Sequence, residues 1–469
     1  MYVSLRNRPG GTTPTPGATA GRVSGTVLLL GTVSLLTDVS SEMVAAVLPI
    51  YLTVAVALSP LAYGFLDGLY QAASAVVRIA GGYVGDRLGR PKWVAATGYG
   101  VSAASRIALV PATGLAGITA VITVDRLVKG LRTAPRDALI AAASPPQALG
   151  RAFGVHRALD TVGAAAGPLV AFALLAAVPA GFAATPAGYR PIFVTSFAVA
   201  VVGLAVLVLF VPDLRTAPAT DRVPVRRLVA EVTGARLRRP LVAAGLLGLL
   251  TAGDGFLYLS LYENHRFLHD GDALAARYFP LFYVGTSLSY LALAVPLGRL
   301  ADRVGRARVL VGGHVVLVGC YLLAALAGGA LPGGGLTGTL AVLLLLGLFY
   351  AATDGVLSAL VSQLVGAHAR GSGIAAAQTV VALARFAASV LFGLLWTVHG
   401  PTVALLVFAV GLAAAVPVAA VLLRGVDAGR TEEAPAHGTE VGPAGGERTD
   451  AIRGEVPRPR PGESSGRTG

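Results

Sequence analysis

The sequence predicts an all-helical (all-α) membrane protein: twelve transmembrane helices arranged as two pseudo-symmetric six-helix bundles. Three observations carry that expectation. The 469 residues are 55% hydrophobic and 13% charged, with a mean hydropathy of +0.71, too apolar and too weakly charged for a soluble chain of this length. The apolar residues fall in runs of about 20 or more, the length that spans a bilayer core. Polar landmarks also recur across the two halves. Asp38 and Asp254 are 216 residues apart, as are Asp86 and Asp302; Asp137 and Asp354 are 217 apart, and Arg151 and Arg370 are 219 apart. A near-constant offset over four landmarks points to duplication of a six-helix unit.

Residues 1–23 are polar, with Gly, Pro, Thr and the basic residues Arg6, Arg8 and Arg22, and read as a disordered cytoplasmic tail. The apolar run that follows is longer than a signal-peptide core. Six spans are expected at roughly 24–56, 60–85, 92–112, 115–142, 149–178 and 190–211, giving an N-terminal bundle over 24–211. The segment 212–239, with Arg215, Arg222, Arg226, Arg227, Arg236, Arg238 and Arg239, is the basic cytoplasmic linker. Six more spans at roughly 240–264, 274–297, 307–328, 336–363, 370–397 and 401–424 make the C-terminal bundle, 240–424. The tail 425–469 is rich in Gly, Pro, Glu and Arg, has no apolar periodicity, and reads as disordered.

Loop charges set the orientation. One set of loops holds Arg87, Arg90 and Lys92, then Arg151, the 212–239 cluster, Arg299, Arg303, Arg306 and Arg308, and Arg370. The other set is nearly free of basic residues. Cytoplasmic loops collect positive charge, so both termini are expected in the cytoplasm and the protein in the inner (plasma) membrane. The same bias accounts for the net charge of +13 without a nucleic-acid partner. The single cysteine, Cys320, excludes a disulfide framework and a cysteine metal site. His265 and His269, beside Glu263, Asp270 and Asp272, have a spacing common by chance in a polar loop, so no metal is expected. No phosphate-binding G-x-x-x-x-G-K-[ST] loop, Ser/His/Asp set or H-E-x-x-H spacing occurs. Neither a cofactor nor an enzyme activity is expected.

The pattern G-x-x-x-D-R-x-G-R-x-[KR] occurs twice. The first copy holds Gly82, Asp86, Arg87, Gly89, Arg90 and Lys92, with Pro91 where a second basic residue is common; the second holds Gly298, Asp302, Arg303, Gly305, Arg306 and Arg308. In both, a basic, Gly-containing turn with one Asp lies between apolar runs. This resembles the major facilitator superfamily, whose loops between helices 2–3 and 8–9 carry the motif; the resemblance covers about 24–424. It implies a secondary transporter working by alternating access, with parallel halves and a substrate site between them near the midplane. It implies gating roles for both motif copies. Asp86 would meet the N-terminal end of the eleventh span near Arg370, and Asp302 the fifth span by the repeat. A carboxylate at a helix N-terminus gains about 0.3–1 kcal/mol, small enough for a gate that must reopen. Arg126 and Gly130 resemble the R-x-x-x-G motif of the superfamily's fourth helix. Gly163, Gly167 and Pro168 resemble the fifth-helix motif of its bacterial efflux and antiporter branch, although Val170-Ala171 replaces the usual Gly pair. Physically, the two glycines permit close helix contact and Pro168 favours a bend.

A charge inside a bilayer is costly, so each one calls for a reason. Asp38 and Glu42 are four apart, hence on one face of the first span. Asp38 lies ~21 Å into that span and Arg126 ~16 Å into the fourth from the other side; in a core ~30 Å thick these depths are similar. Two readings fit. Arg126 modulates the proton affinity of Asp38 and Glu42 as it approaches and withdraws, or a permanent Asp38–Arg126 pair fixes the packing. His156, with Arg157 and Asp160, is either a proton relay or part of a closing network. In the second half, Asp254 with Tyr258, and Arg385 with Gln378, face a substrate cavity, or Asp354 pairs with Arg385 across helices. Arg78 and Arg106 are expected to snorkel to an interface. The leading expectation is proton-coupled export (antiport) of a small molecule, with the lipid bilayer, the solute and protons as partners. Import or uncoupled movement of a polar solute is the alternative within transport. A non-transporting receptor or an intramembrane enzyme is the alternative outside it.

Overall fold

A computed structural model gives the fold and describes residues 24–88, 90–145, 148–214, 234–268, 272–326, 335–365 and 370–426. Both tails and most of the 212–239 linker lie outside them. Regular structure among the described residues is helical throughout. The first half holds α1 (Gly25–Ala45), α2 (Pro60–Leu88), α3 (Pro91–Ala108), α4 (Gly114–Ala142), α5 (Leu149–Ala177) and α6 (Pro186–Phe210). The second holds α7 (Ala235–Leu249), α8 (Asp254–Leu268), α9 (Asp272–Tyr278), α10 (Pro280–Val304), α11 (Arg306–Leu326), α12 (Leu336–Thr353), α13 (Val356–Leu364), α14 (Arg370–His399) and α15 (Pro401–Leu422).

Each expected span has a helix at its place. Among the described residues, 9 helical stretches are long and apolar enough to cross a membrane. The expected spans beyond these are α2, α3 and α4, of 29, 18 and 29 residues. They have the length but carry more polar and charged residues; α4 alone holds Asp125, Arg126, Lys129, Arg132, Arg136 and Asp137. Large apolar side chains such as Leu209, Val410 and Leu336, each about 70% exposed (72%, 69% and 69%), face outward and form the lipid-facing surface.

Two spans expected as continuous are broken. The seventh is α7 and α8 with residues 250–253 between them. Backbone groups freed inside a membrane need partners. Tyr321 supplies them here: its Oη accepts from the Ala252 N–H at 2.9 Å and donates to the Leu250 carbonyl at 3.3 Å. The tenth is α12 and α13, parted where Gly355 adopts φ +76°, a region that favours glycine. The first span also ends irregularly, in a short helical turn at Leu48–Ile50 and a π-turn at Tyr51–Ala55.

Within the first half α1 packs on α5 and α6, and α4 on α2 and α3; within the second, α10 packs on α12, and α11 on α12 and α15. The halves meet along two seams, α2 against α14 and α5 against α10. The internal repeat relates α2 to α10 and α5 to α14, so the seams are counterparts.

The motif copies sit at helix ends. In the first, α2 stays helical through Leu88. Gly82 lies within α2, while Gly89, and the side chains of Asp86, Arg87 and Arg370, lie outside the described residues, as do those of His265, His269, Asp270 and Asp272. Arg90 is exposed at the start of α3. In the second, Gly298, Asp302 and Arg303 lie in the last turns of α10, and Arg306 opens α11. Gly305 makes the corner at φ +110°, where a side chain would be strained.

Candidate functional site: a charged cavity between the two halves

The two halves enclose a cavity of about 660 Å³. Glu42, Asp67, Tyr70, Arg126 and Lys129 line it from the first half, and Asp254, Tyr350, Asp354, Gln378 and Arg385 from the second. It is shut at the end where α2 begins and α14 finishes. There the Leu61 N–H donates to Thr397 Oγ1 at 3.0 Å, and Ser389 Oγ donates to Asp67 Oδ2 at 2.7 Å. Phe256 of α8 packs edge-on against Tyr63 (ring centroids 4.8 Å apart) and tilted against Phe392 (4.8 Å) and Trp396 (5.7 Å). Glycines bring the backbones together. A Cβ on Gly64 would lie 2.2 Å from the Ser389 carbonyl, and one on Gly393 2.5 Å from the Pro60 carbonyl. Beyond the end of α5, Arg277 of α9 donates to the Val178 carbonyl, and Phe172 stacks on Tyr278 at 5.8 Å.

Asp38 and Glu42 share one side of α1, as their spacing predicts. Glu42 reaches the cavity, and Lys129 Nζ stands 3.9 Å from its Oε1. Asp38 turns toward α5, close to Asp160 and Lys129. The described contacts thus put Lys129, one turn beyond Arg126, beside the α1 carboxylates. Arg126 is engaged elsewhere. Its guanidinium bonds to the neighbouring Asp125 and lies 3.7 Å over the Tyr70 ring. Asp125 is also held by Arg106 and by Ser102 Oγ (2.7 Å), and Arg106 donates to Ser41 Oγ at 2.9 Å. Arg106 is 4% exposed, so it does not snorkel: a buried carboxylate was available to pair with it. Arg78's side chain lies outside the described residues.

His156 is buried, its Nε2 3.4 Å from Ser34 Oγ. Arg136 donates to Ser34 at 3.2 Å and to Asp137 at 3.1 Å, and stands 3.9 Å from Asp160; Arg157 stands 3.6 Å from Asp160. This network ties α1, α4 and α5 together inside one half. Gly163 and Gly167 hold the same helices close. A Cβ on Gly163 would lie 2.5 Å from the Leu35 carbonyl, and one on Gly167 2.8 Å from Glu42 Cβ. The α5 helix continues through Pro168.

In the second half, Asp254, Asp354, Gln378 and Arg385 all reach the cavity. No ion pair joins Asp354 to Arg385 among the described residues; Asp354 instead caps the break after α12, its N–H bonded to the Tyr350 carbonyl at 2.8 Å. Gln378 donates to Ser358 at 3.4 Å. Tyr258 points away into the core, 1% exposed, and donates to Thr286 Oγ1 at 2.9 Å. Asp302 pairs with Arg306 at 3.0 Å, and Arg306 reaches the Ala359 carbonyl at 2.9 Å. No cluster of three or more metal-ligating side chains occurs among the described residues.

Two charged cavity groups escaped sequence reasoning as site residues. Asp67 is a lone carboxylate in an apolar stretch of α2, the signal that singled out Asp38. Lys129 was visible as a charge of the fourth span, but only the fold shows which cation of that helix stands beside α1.

Comparison with known proteins settles the family. The family model for the Major Facilitator Superfamily matches residues 30–388, with a second match over 273–457. The chain belongs to the major facilitator superfamily. An uncharacterized MFS-type transporter of Methanocaldococcus jannaschii is 28% identical over 384 residues, covering 80% of this chain and 89% of the relative. An uncharacterized protein of Mycobacterium tuberculosis is 32% identical over 154 residues, 32% of this chain and 36% of the relative. Among solved structures, the nucleoside transporter NupG superposes with a TM-score of 0.72 at 14% identity, covering 85% of this chain and 99% of that one. A POT family transporter in complex with 5-aminolevulinic acid gives 0.66 at 13% identity, with 87% and 97% covered. The superfamily consists of membrane transporters, and this member is a multi-pass membrane protein with the superfamily's two-bundle fold.

Proposed function

We propose that the chain is a secondary active transporter of a small molecule, working by alternating access and coupled to protons as an antiporter that exports its solute. The observation that carries this reading is the charged cavity between the halves, shut at one end by contacts between them. Such a cavity suits a site reached from one side at a time. Both termini and the linker are cytoplasmic by the distribution of loop arginines, and the membrane is the inner (plasma) membrane. The closed end then faces outward and the structure is the inward-facing form.

Glu42 and Asp38 carry the coupled proton. Lys129 takes the modulating role first given to Arg126: it is the cation beside both carboxylates. Arg126, fixed by Asp125 and Tyr70, lines the substrate site with Asp254, Asp354, Gln378 and Arg385. The motif residues around Asp86, Arg87, Asp302 and Arg303 gate the cytoplasmic end. The solute leaves unchanged, so the protein is not an enzyme.

The test is proton uptake in proteoliposomes of purified protein with a pH-sensitive dye inside, using a panel of solutes and an imposed pH gradient. Solute-dependent proton flux that Glu42→Gln and Asp38→Asn abolish supports the reading. Solute movement without proton flux, unchanged in both variants, refutes the coupling and leaves a facilitator. A chemically altered solute makes the protein an enzyme.

A further inference from the structure

Resting on the alternating-access reading, we infer that Asp67 is a further proton-carrying residue of the cycle, and that its proton lets the α2/α14 seam close. Its carboxylate accepts a hydrogen bond from the other half: Ser389 Oγ donates to its Oδ2 at 2.7 Å, and Ser389 is fully buried (0% exposed). The same oxygen lies against the break in the seventh span, where a Cβ on Gly253 would come within 2.2 Å of it. One carboxyl group thus touches α2, α14 and the break between α7 and α8, and it lines the cavity.

The charges around it do not balance. Among the described residues, Arg385 of α14 and Asp254 of α8 are the charges that act on it most strongly, and all three line the same cavity, with Gln71 one turn further along its own helix. The phenols around it are Tyr63 on α2, Tyr283 on α10 and Tyr350 on α12, and these are neutral at ordinary pH. Two carboxylates against one guanidinium leave a net charge of −1, which a single proton removes. An unbalanced charge is costly in a dry seam and costs little in water. Asp67 lies seven residues into α2, ~10 Å from its start. Opening the seam would wet it from the far side. In that state the carboxylate takes a proton from hydronium, leaving water, and the neutral acid permits closure. With the seam shut, its cavity face gives the proton back to cavity water when a cationic group of the solute pairs with Asp254 and leaves Arg385 to balance the Asp67 carboxylate.

The experiment places spin labels on Ser59→Cys and His399→Cys, both exposed at the closed end, in a Cys320→Ala background. Their separation is followed by pulsed electron resonance from acidic to alkaline pH, in the full-length protein reconstituted in lipid. The closed-to-open ratio of the parent should fall with rising pH by up to about tenfold per unit, the limit for one proton. Asp67→Asn, which keeps an acceptor for Ser389 but cannot ionise, should stay closed at every pH. Asp67→Glu should restore a pH-dependent ratio with a displaced midpoint. A Gly64→Ala variant, wedged at the seam, shows that the label pair reports opening. Should the seam open in Gly64→Ala while Asp67→Asn keeps the parent's pH response, the role of Asp67 falls and alternating access stands. If the labels report no opening in any variant at any pH, both fall.

Discussion

Gly64→Ala tests the closed end most directly. The ideal Cβ position at Gly64 is 2.2 Å from the Ser389 backbone carbonyl oxygen and 3.1 Å from the Phe256 ring. Ordinary contact begins at 3.4 Å, so α2 and α14 must part locally by about 1.2 Å. A helical carbonyl cannot rotate aside to absorb this. The penalty therefore falls on the form in which the seam is shut, and largely vanishes once the halves separate. Overpacking of this kind costs about 1–3 kcal/mol, which shifts a two-state ratio about 5- to 150-fold. The assay is the rate at which a short bismaleimide links Ser59→Cys to His399→Cys in a Cys320→Ala background, with the melting temperature measured alongside. The closed-to-open ratio should fall about 5- to 150-fold, and linking should slow by up to that factor, in full where the closed form is already the minority. Gly393→Ala, 2.5 Å from the Pro60 carbonyl, should act the same way, and the pair together less than additively because the sites are neighbours. Unchanged linking together with an unchanged melting temperature would refute the reasoning, since the methyl would then have found room that the backbone geometry denies it.

Gly167→Ala places a methyl 2.8 Å from Glu42 Cβ and the Met43 amide; it should cost about 1–3 kcal/mol, read as a lower melting temperature in detergent. Gly305→Ala, at φ +110°, should cost about 1–3 kcal/mol in the same assay. Arg126→Lys keeps the charge but loses the flat stack on Tyr70, and should lower stability by about 1–2 kcal/mol and raise the solute KM. Glu42→Gln should change stability by less than about 1 kcal/mol, because a pair at 3.9 Å with both side chains open to the cavity contributes little, yet abolish solute-driven proton flux.

How far the sequence foretold these features depends on the distance over which each is determined. Helix positions follow from runs of apolar residues, and the two-bundle architecture from the repeated Asp and Gly–Asp–Arg landmarks; both are properties of single segments. The use of Gly163 and Gly167 was legible too, since small residues four apart mark one helix face, and they do bring α5 onto α1. The breaks in the seventh and tenth spans were not. Leu250–Gly253 holds no charge or proline, with Thr251 its one polar residue, and what stabilises the non-helical backbone is Tyr321, 69 residues from Ala252, on α11. The partner of the α1 carboxylates failed for a related reason. Depth along each helix ranks Arg126 and Asp38 as neighbours but says nothing of rotation. Arg126 and Lys129 are three residues apart, and Asp125, adjacent in sequence, takes the guanidinium first.

That competition sorts the charges of the first half by what they can do. Asp125 is gripped by two buried guanidinium groups, and removing one partner from such a set leaves an uncompensated buried charge, a penalty of about 3–5 kcal/mol. A group that costly to disturb cannot be exchanged each cycle, so Arg106, Asp125 and Arg126 form a fixed wall. Lys129 and Glu42 are each 31% exposed and 3.9 Å apart. Cavity water already competes for both, and an exposed pair is worth only about 0–1 kcal/mol. A proton or a charged solute can separate them at little cost. The sites able to respond to an occupant are therefore the charged groups with cavity access outside that fixed set, Glu42, Asp67 and Lys129 from the first half and Asp254 and Arg385 from the second. A solute bridging the halves would change the charge balance of both at once, which is the coupling an antiporter needs.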